Sequence, residues 1–423
     1  MTPEIKQRIE QIRRGEVPEG YVKKRKVVIP QQWGLPQIKD IASISSGSTP
    51  NRNNSEYWNG NIAWVTTGEL SSGHVNHTSE LITVKAVKET KMRIYPQGTL
   101  LMAMYGQGKT RGTVAILEID AAVNQACAAI TVKDGKSKFL FYQLKNSYQD
   151  IRKLSNTGNQ ENLNADIIKT YQVPWAPDEE QERISTILTT QDKVIELKEK
   201  RLAEKQRQKK YLMQQLLTGK KRLPGFSGEW KNIKLCEVLS ERKEKNVEQN
   251  LRICSVAVQK GVVDQVEHLG RSYAANDTSN YSVAHYGDII YTKSPTGDFL
   301  YGIVKQNLLQ ETVAVSPLYG VFTPLTFGLG YFLHTYFQSA ICARNYLLPI
   351  VQKGAKNTIN ITNDTFISSK LYLPLDVEEQ KAIADTFIAA DREIELLQQD
   401  IEQEKQKKKA LMQLLLTGIV RVT

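Results

Sequence analysis

Residues 180–219 and 379–418 spell the same helix twice. The segments EQERISTILTTQDKVIELKEKRLAEKQRQKKYLMQQLLTG and EQKAIADTFIAADREIELLQQDIEQEKQKKKALMQLLLTG align without a gap at an offset of 199 residues, and sixteen of their forty positions are identical. Average residue usage would match about three. An offset approaching half the chain excludes a solenoid, whose repeats run about 20–50 residues. It predicts two domains, each followed by a matching helix, and therefore two similar surfaces on one molecule.

Within the first copy, Ile184, Leu188, Gln191, Ile195, Lys198, Leu202, Lys205, Lys209, Leu212 and Leu216 alternate spacings of four and three, which is a heptad seam. The same frame in the second copy gives Ile383, Phe387, Ala390, Ile394, Leu397, Ile401, Glu404, Lys408, Leu411 and Leu415. Each copy follows a proline-marked strand end (VPWAPDEEQ, LPLDVEEQ), carries acids at its positive N-terminus and stops at a Thr-Gly pair. The two stripes are expected to bury each other as an antiparallel coiled coil. Polar seam positions Lys205, Lys209, Glu404 and Lys408 should cost stability while fixing register. The runs KQRQKK (205–210) and KQKKK (405–409) read as a solvated face or a protein-partner surface rather than as DNA contacts.

The duplication extends beyond the helices. Trp33 leads into GLPQIKDIAS and Trp230 into KNIKLCEVLS; GTLLMAMYG at Gly98 matches GDIIYTKSPTG at Gly287. Gly158 and Asn164 in GNQENLN match Gly354 and Asn360 in GAKNTIN. Between these anchors the copies diverge, the pattern of one scaffold carrying different loops. NIAWVTTGEL, TVAILEI and LRICSVAVQK alternate as strands, while KFLFYQLKNSYQDIRKL and YFLHTYFQSAIC read as helices. Each copy is expected to be a mixed α/β (α+β) domain. A smaller echo, QRIEQIRRGEVPEGY against MQQLLTGKKRLPGF, places an N-terminal stub where the second helix would otherwise lead back into the first domain, making the chain nearly circular in organisation.

Composition narrows the chemistry. The chain has 423 residues, 40% of them hydrophobic, and a formal charge of +11, which favours a polyanionic partner. Its four cysteines form no CxxC pair, no run approaches a membrane span, and the start carries no secretory signal. AMYGQGKT (103–110) fits a relaxed phosphate-loop pattern, but RGTVAILEI follows where a helix is required, so it reads as a basic turn between strands. His74 and His77 are too few ligands for a metal. No nucleophile elbow, zinc-protease motif, base-gripping Pro-Pro-aromatic segment or glycine-rich adenosylmethionine loop occurs, so the chain reads as non-catalytic.

Two variable domains separated by repeated helices, each with EEQ at its start and LL-TG at its end, resemble the specificity subunit of type I restriction–modification systems. SSGSTPNRNNSEYWNGNIAWVTTGEL, SNYSVAHYGDIIYTKSP with VSPLYGVF, and KKRLPGFSGEW carry the resemblance, which spans essentially the whole chain. It implies a stub and basic linker (1–30), target recognition domain 1 (31–177), a central coiled-coil helix (178–219), target recognition domain 2 with its leading linker (220–376), and a C-terminal helix and tail (377–423), in a pseudo-two-fold arrangement. It further implies that each domain reads one half of a bipartite, asymmetric site in double-stranded DNA. The helices would measure the spacer and dock two methyltransferase subunits. The chain would hold no cofactor: adenosylmethionine belongs to those partners, which methylate adenine at N6, and ATP with Mg to motor–nuclease subunits where present. The expected location is the bacterial or archaeal cytoplasm, with no membrane partner.

Side chains suited to groove and phosphate contacts mark candidate readers. In domain 1 these are Arg52 and Asn53, then Tyr105, Gln107, Lys109 and Arg111 on the basic turn, and Asn156, Asn159 and Gln160 on the NTGNQ turn. In domain 2 they are Lys260, Arg271, Lys293, Ser294, Thr296, Lys353 and Lys356. An interaction scaffold carrying two ligand-binding domains and no DNA, and an NTPase using Lys109, stand as rival readings.

Overall fold

The computed structural model describes residues 2–106, 108–154, 162–271, 274–353 and 359–422. The chain divides into two compact units, one of residues 1–198 with 400–423 and the other of residues 199–399. The division cuts through two 39-residue helices, a first rod (Asp178–Leu216) and a second rod (Val377–Leu415). Each unit therefore holds a globular lobe, the N-terminal half of one rod and the C-terminal half of the other.

The lobes share a topology. Lobe 1 has the strand order Ala42–Ser46, Cys127–Val132, Leu100–Ala103, Val114–Leu117, all neighbours antiparallel, with a short parallel strand, His74–Val75, at the edge. Lobe 2 repeats it as Leu239–Glu241, Gly320–Pro324, Ile289–Tyr291, Val304–Gln306. Each lobe has a second sheet built on a strand with one antiparallel and one parallel neighbour: Trp58–Val65 between Glu80–Ile82 and Ala121–Val123, and Arg252–Ala257 between Gly261–Asp264 and Val313–Val315.

The central strands are buried on both faces, because successive side chains point to opposite sides. Leu100, Met102, Val114 and Ile116 join a core with Ile184, Leu188 and Leu415 of the rods. Leu101, Ala103, Ala115 and Leu117 join a separate core with Val65 and Val123 of the second sheet. The alternation read in TVAILEI thus marks a strand with two apolar sides rather than one wet side. The helix read through KFLFYQLKNSYQDIRKL is two, Ser137–Asn146 and Tyr148–Lys153, broken at Ser147.

The heptad seam is buried or half-buried throughout both rods, while most intervening positions face solvent. The rods run antiparallel in each unit. In the first, Gln191 and Lys198 donate to Glu404 at 2.6 and 2.8 Å, and Lys198 also reaches Asp400 at 2.8 Å. In the second, Lys205 and Arg201 reach Glu393 at 2.9 and 3.4 Å. Lys205 and Glu404 occupy equivalent repeat positions with opposite charge, so each half of the seam is matched to its own partner.

A clasp at the start of each rod ties it to its lobe. The Trp33 indole donates to Glu180 at 2.8 Å, and Arg421 grips the same carboxylate with two donors at 2.7 and 2.9 Å. Trp230 donates to Glu379 at 3.1 Å, and Arg222 grips that carboxylate bidentately. The Glu180 and Glu379 side chains are 4% and 1% exposed. Burial alone would raise the Glu180 pKa, but the Arg421 and Trp33 hydrogen bonds hold it below the ordinary carboxylate range. The adjacent glutamines cap the preceding chain: Gln181 donates to the Ala176 carbonyl at 2.7 Å and Gln380 to that of Pro374 at 2.9 Å. These contacts account for the Glu-Gln pair that ends each EEQ motif.

Arg222 follows the first rod and Arg421 the second, at the same offset of 199. Each rod therefore delivers its following arginine to the glutamate that opens the other rod. The tail after Gly418, not the N-terminal stub, takes the place that KKRL holds after Gly219. The stub (helix Pro3–Arg13 and hairpin Tyr21–Lys24 with Val27–Pro30) packs on that tail, with Tyr21 donating to the Gly418 carbonyl at 2.6 Å and Arg8 to that of Ile419 at 2.5 Å. The near-circular organisation stands, but the tail closes it.

A second repeated contact joins lobe, rod and rod. Tyr142 donates to Asp192 at 2.8 Å, and Lys408 is paired with the same carboxylate. Tyr331 donates to Asp391 at 2.9 Å, and Lys209 is paired with it. Lys209 and Lys408, polar seam positions within the two basic runs, are each only 12% exposed. In the second unit Lys305 and His334 lie close to this contact; burial, with Lys209, pushes the Lys305 pKa down to about 8. His334, deeply buried, is kept neutral and accepts from the Gln306 amide at 3.0 Å.

Two outcomes are expected. Glu180→Gln and Glu379→Gln each leave a half-buried arginine without its charge partner and should cost roughly 1–3 kcal/mol, read as lost hydrogen-exchange protection in the first turns of the affected rod; unchanged protection would contradict the clasp. An unfolded lysine keeps its proton to about pH 10.4, above folded Lys305, so stability should rise as pH climbs from about 8 toward 10. Lys305→Met should raise the thermal midpoint at pH 7, with an advantage that shrinks by pH 10; an equal advantage at both would disprove a charged, buried Lys305.

Candidate nucleic-acid interface

The candidate readers fall on separate elements. In lobe 1, Arg52 sits on the loop before the second sheet. Its guanidinium lies 4.1 Å from the Trp58 ring centre and 4.9 Å from that of Trp64, and both its terminal nitrogens bond Glu80. Arg52 pulls the Glu80 pKa down. The fork that would meet guanine is thus occupied by a carboxylate, and reading with it requires that pair to open. Asn53 is exposed, and its amide bonds the Asn51 side chain at 3.0 Å, an Asx turn.

The basic turn joins strands Leu100–Ala103 and Val114–Leu117 of the other sheet. Tyr105 and Lys109 are exposed. The Lys109 carbonyl accepts from the Tyr148 hydroxyl at 2.7 Å and the Thr113 hydroxyl at 3.1 Å, which pins the backbone and leaves the ammonium outside. Arg111, expected on the same exposed turn, is 7% exposed. The chain turns inward there: its carbonyl accepts from Arg152 at 2.7 Å, and Gly112, at φ +82°, is covered so closely that a Cβ would lie 3.2 Å from Arg152 Cγ. Arg111 belongs to the base of the turn and Lys109 to its tip. Gln107, Asn156, Asn159 and Gln160 lie outside the described residues; Asn164, just beyond them, caps helix Ala165–Thr170 by accepting from the Ile167 amide at 2.8 Å.

In lobe 2, Lys260 is exposed at the turn before strand Gly261–Asp264, and Arg271 is exposed after helix Gln265–Leu269. Lys293, Ser294 and Thr296 share the connection between Ile289–Tyr291 and Val304–Gln306, the counterpart of the basic turn. Ser294 and Thr296 are exposed. Lys293 is half-buried in the left-handed region at φ +60°, with burial lowering its pKa against the opposing pull of Glu241. Such a backbone is uncommon for a residue with a side chain and is concentrated at functional sites. Lys353 is placed by its pairing with Ile359; Lys356 lies outside the described residues.

The residue reading missed the partners of these groups: Glu80 under Arg52, Tyr148 and Arg152 behind the basic turn, and Asp298 at the tip of the lobe 2 turn. Asp298 carried a signal, since Gly297-Asp298 stands where Gly108-Lys109 stands in the first copy. Among the described residues no His, Cys, Asp and Glu cluster is placed to hold a metal, and no helix is long and apolar enough to cross a membrane.

The duplicated architecture has known counterparts. The model of the type I restriction modification DNA specificity domain matches residues 30–206 and again 228–406. The type I restriction enzyme MjaIX specificity subunit of Methanocaldococcus jannaschii is 34% identical over 178 residues, which is 41% of this chain and 40% of that relative. The MjaVIII specificity subunit of the same organism is 24% identical over 428 residues, spanning 93% of this chain and 94% of the relative. The crystal structure of a type I restriction-modification S subunit from M. genitalium superposes with a TM-score of 0.58 at 11% identity, covering 93% of this chain and 98% of that one. A chain from a structural study of complex assembly in the type I R-M system gives 0.54 at 14% identity, covering 93% and 99%.

The different burial of two neighbouring cations has a direct consequence. Arg111→Ala should lower the thermal midpoint by several degrees, as loss of a buried, engaged group does, whereas Lys109→Ala should leave it within about a degree. Equal midpoints in a scanning calorimeter would contradict the assignment of Arg111 to the base of the turn.

Proposed function

Since the chain belongs to the family defined by the type I restriction modification DNA specificity domain, matched over both halves, we propose that it reads a bipartite, asymmetric site in double-stranded DNA, one half-site with each lobe. The observation that carries this reading is the repeated scaffold with divergent connections. Matched sheets, clasps and rod contacts recur in both units, while the exposed turns differ in length, charge and conformation. Two copies of one frame with unlike tips suit two unlike short sequences.

The rods supply the measure. A 39-residue helix extends roughly 58 Å, and half-sites one DNA turn apart lie about 34 Å from each other. Rods clasped at both ends make the second lobe's engagement intramolecular, which raises its effective concentration. Their exposed faces would dock two methyltransferase subunits. Those partners would bring adenosylmethionine and methylate adenine at N6, and motor–nuclease subunits using ATP and Mg would add restriction. This chain contributes recognition and no bond-making step, in the cytoplasm of a bacterium or archaeon.

Fluorescence anisotropy with cognate duplex tests DNA binding directly, and the logarithm of affinity should fall linearly with that of salt concentration. A salt-independent signal would count against the reading. The measuring role has its own test. Four residues inserted into each rod between its two lobe contacts add about 6 Å, and methylation mapping of the reconstituted complex should return an altered spacer. Retention of the original spacer by an active complex would refute the ruler.

A further inference from the structure

The exposed segments of the two corresponding turns carry opposite charge at Lys109 and Asp298. An offset of 189 residues relates Gly98 to Gly287, Gly108 to Gly297, Lys109 to Asp298 and Tyr142 to Tyr331. The first and last pairs occupy the same places in their lobes, ahead of the hairpin and against the rods. The returning strands are related by 190 residues, since Val114 faces Met102 as Val304 faces Tyr291, so the lobe 2 turn is one residue longer and Lys109 and Asp298 share a turn, not a fixed register. Each follows a glycine in the left-handed region, at φ +61° and +54°.

Both tips are held by backbone and displayed by side chain. In lobe 2 the Thr296 and Phe299 amides each donate to the other's carbonyl at 3.0 Å, closing a tight turn around Gly297-Asp298. Phe299 is 8% exposed and anchors that turn in the lobe core. In lobe 1 the Tyr148 and Thr113 hydroxyls hold the Lys109 carbonyl. Lys109 and Asp298 are exposed, and among the described residues neither charged group has an ion pair or side-chain hydrogen bond.

An unpaired carboxylate on a DNA-reading turn is repelled by phosphates, so it gains nothing from the backbone contacts that hold most such proteins on a duplex. In the major groove its favourable partners are the exocyclic amino groups, N4 of cytosine and N6 of adenine, while the keto oxygens of guanine and thymine repel it. Lysine has the reverse preference, for guanine O6 and N7. Resting on the reading of the chain as a DNA-recognition subunit, we propose that Asp298 is a specificity-determining residue of lobe 2. It accepts a hydrogen bond from the exocyclic amine of cytosine or adenine, while Lys109 donates from the corresponding turn of lobe 1. The same turn thus selects opposite base chemistry in the two half-sites.

The test is selection of randomised duplex DNA by the full-length chain, comparing wild type, D298A, D298K and K109A, with thermal midpoints measured alongside. The wild type should enrich a bipartite motif. D298A should lose the preference for cytosine or adenine at one position of one half-site, with binding to the wild-type site falling about tenfold. D298K should shift that position toward guanine, and K109A should alter only the other half-site. All midpoints should match, because the tip's backbone bonds do not use these side chains; were D298A to melt early, the near-isosteric D298N replaces it. A wild-type motif kept at every position by both Asp298 variants would overturn the proposal while leaving DNA recognition intact. So would a change falling in the half-site that K109A alters, or loss of a guanine or thymine preference. A wild-type chain that enriches no motif would overturn the recognition reading itself, and this proposal with it.

Discussion

Two carboxylates with almost no access to water, Glu180 and Glu379, hold this architecture together. A buried charge is tolerable only when it is paired and fully hydrogen-bonded, and each glutamate meets that demand with an indole N–H from its own lobe and a guanidinium that follows the opposite rod. The requirement is geometric as well as energetic. A bidentate arginine fits a carboxylate in one plane, so satisfying Glu180 fixes where the second rod ends, and satisfying Glu379 fixes where the first one ends. The path of each tail is tied to the start of the other rod by these two contacts.

Between the clasps, the polar seam positions change character once their partners are known. Lys209 and Lys408 each meet an aspartate on the other rod that also accepts from a lobe tyrosine. The basic runs therefore contain structural cations, and counting every lysine there as surface charge would overstate the partner-facing potential. Farther along, the repeat breaks its own symmetry: Lys205 pairs with Glu393, whereas the equivalent Glu404 accepts from Lys198 and Gln191. Complementary seam charges select partner and register, and an identical pair of rods would place like charges in both halves.

Periodicity and punctuation made the rods legible in the sequence. A heptad frame shared by two copies survives tertiary context, and glycines at φ +69° and +70° end both rods where Thr-Gly stands. Trp33 and Trp230 were visible as anchors, but not their target, because the glutamate lies 147 and 149 residues away. The strand Val114–Leu117 was found, yet its double-sided burial depends on a second sheet that local alternation does not reveal. Arg111 was misplaced for a similar reason: nothing near it in sequence announces that Arg152, forty-one residues on, covers the base of its turn. Side chains free to meet a ligand, such as exposed Lys109, are least legible of all, since the rest of the protein does not constrain them.

That division, a constrained frame with unconstrained tips, is the account's central claim, and mapping methylated adenine across the genome with and without this chain tests it most directly. The account predicts one asymmetric motif in two parts with a constant gap, present with the chain and absent without it. A methylation pattern that persists after its removal, or a motif in one uninterrupted block, would contradict it.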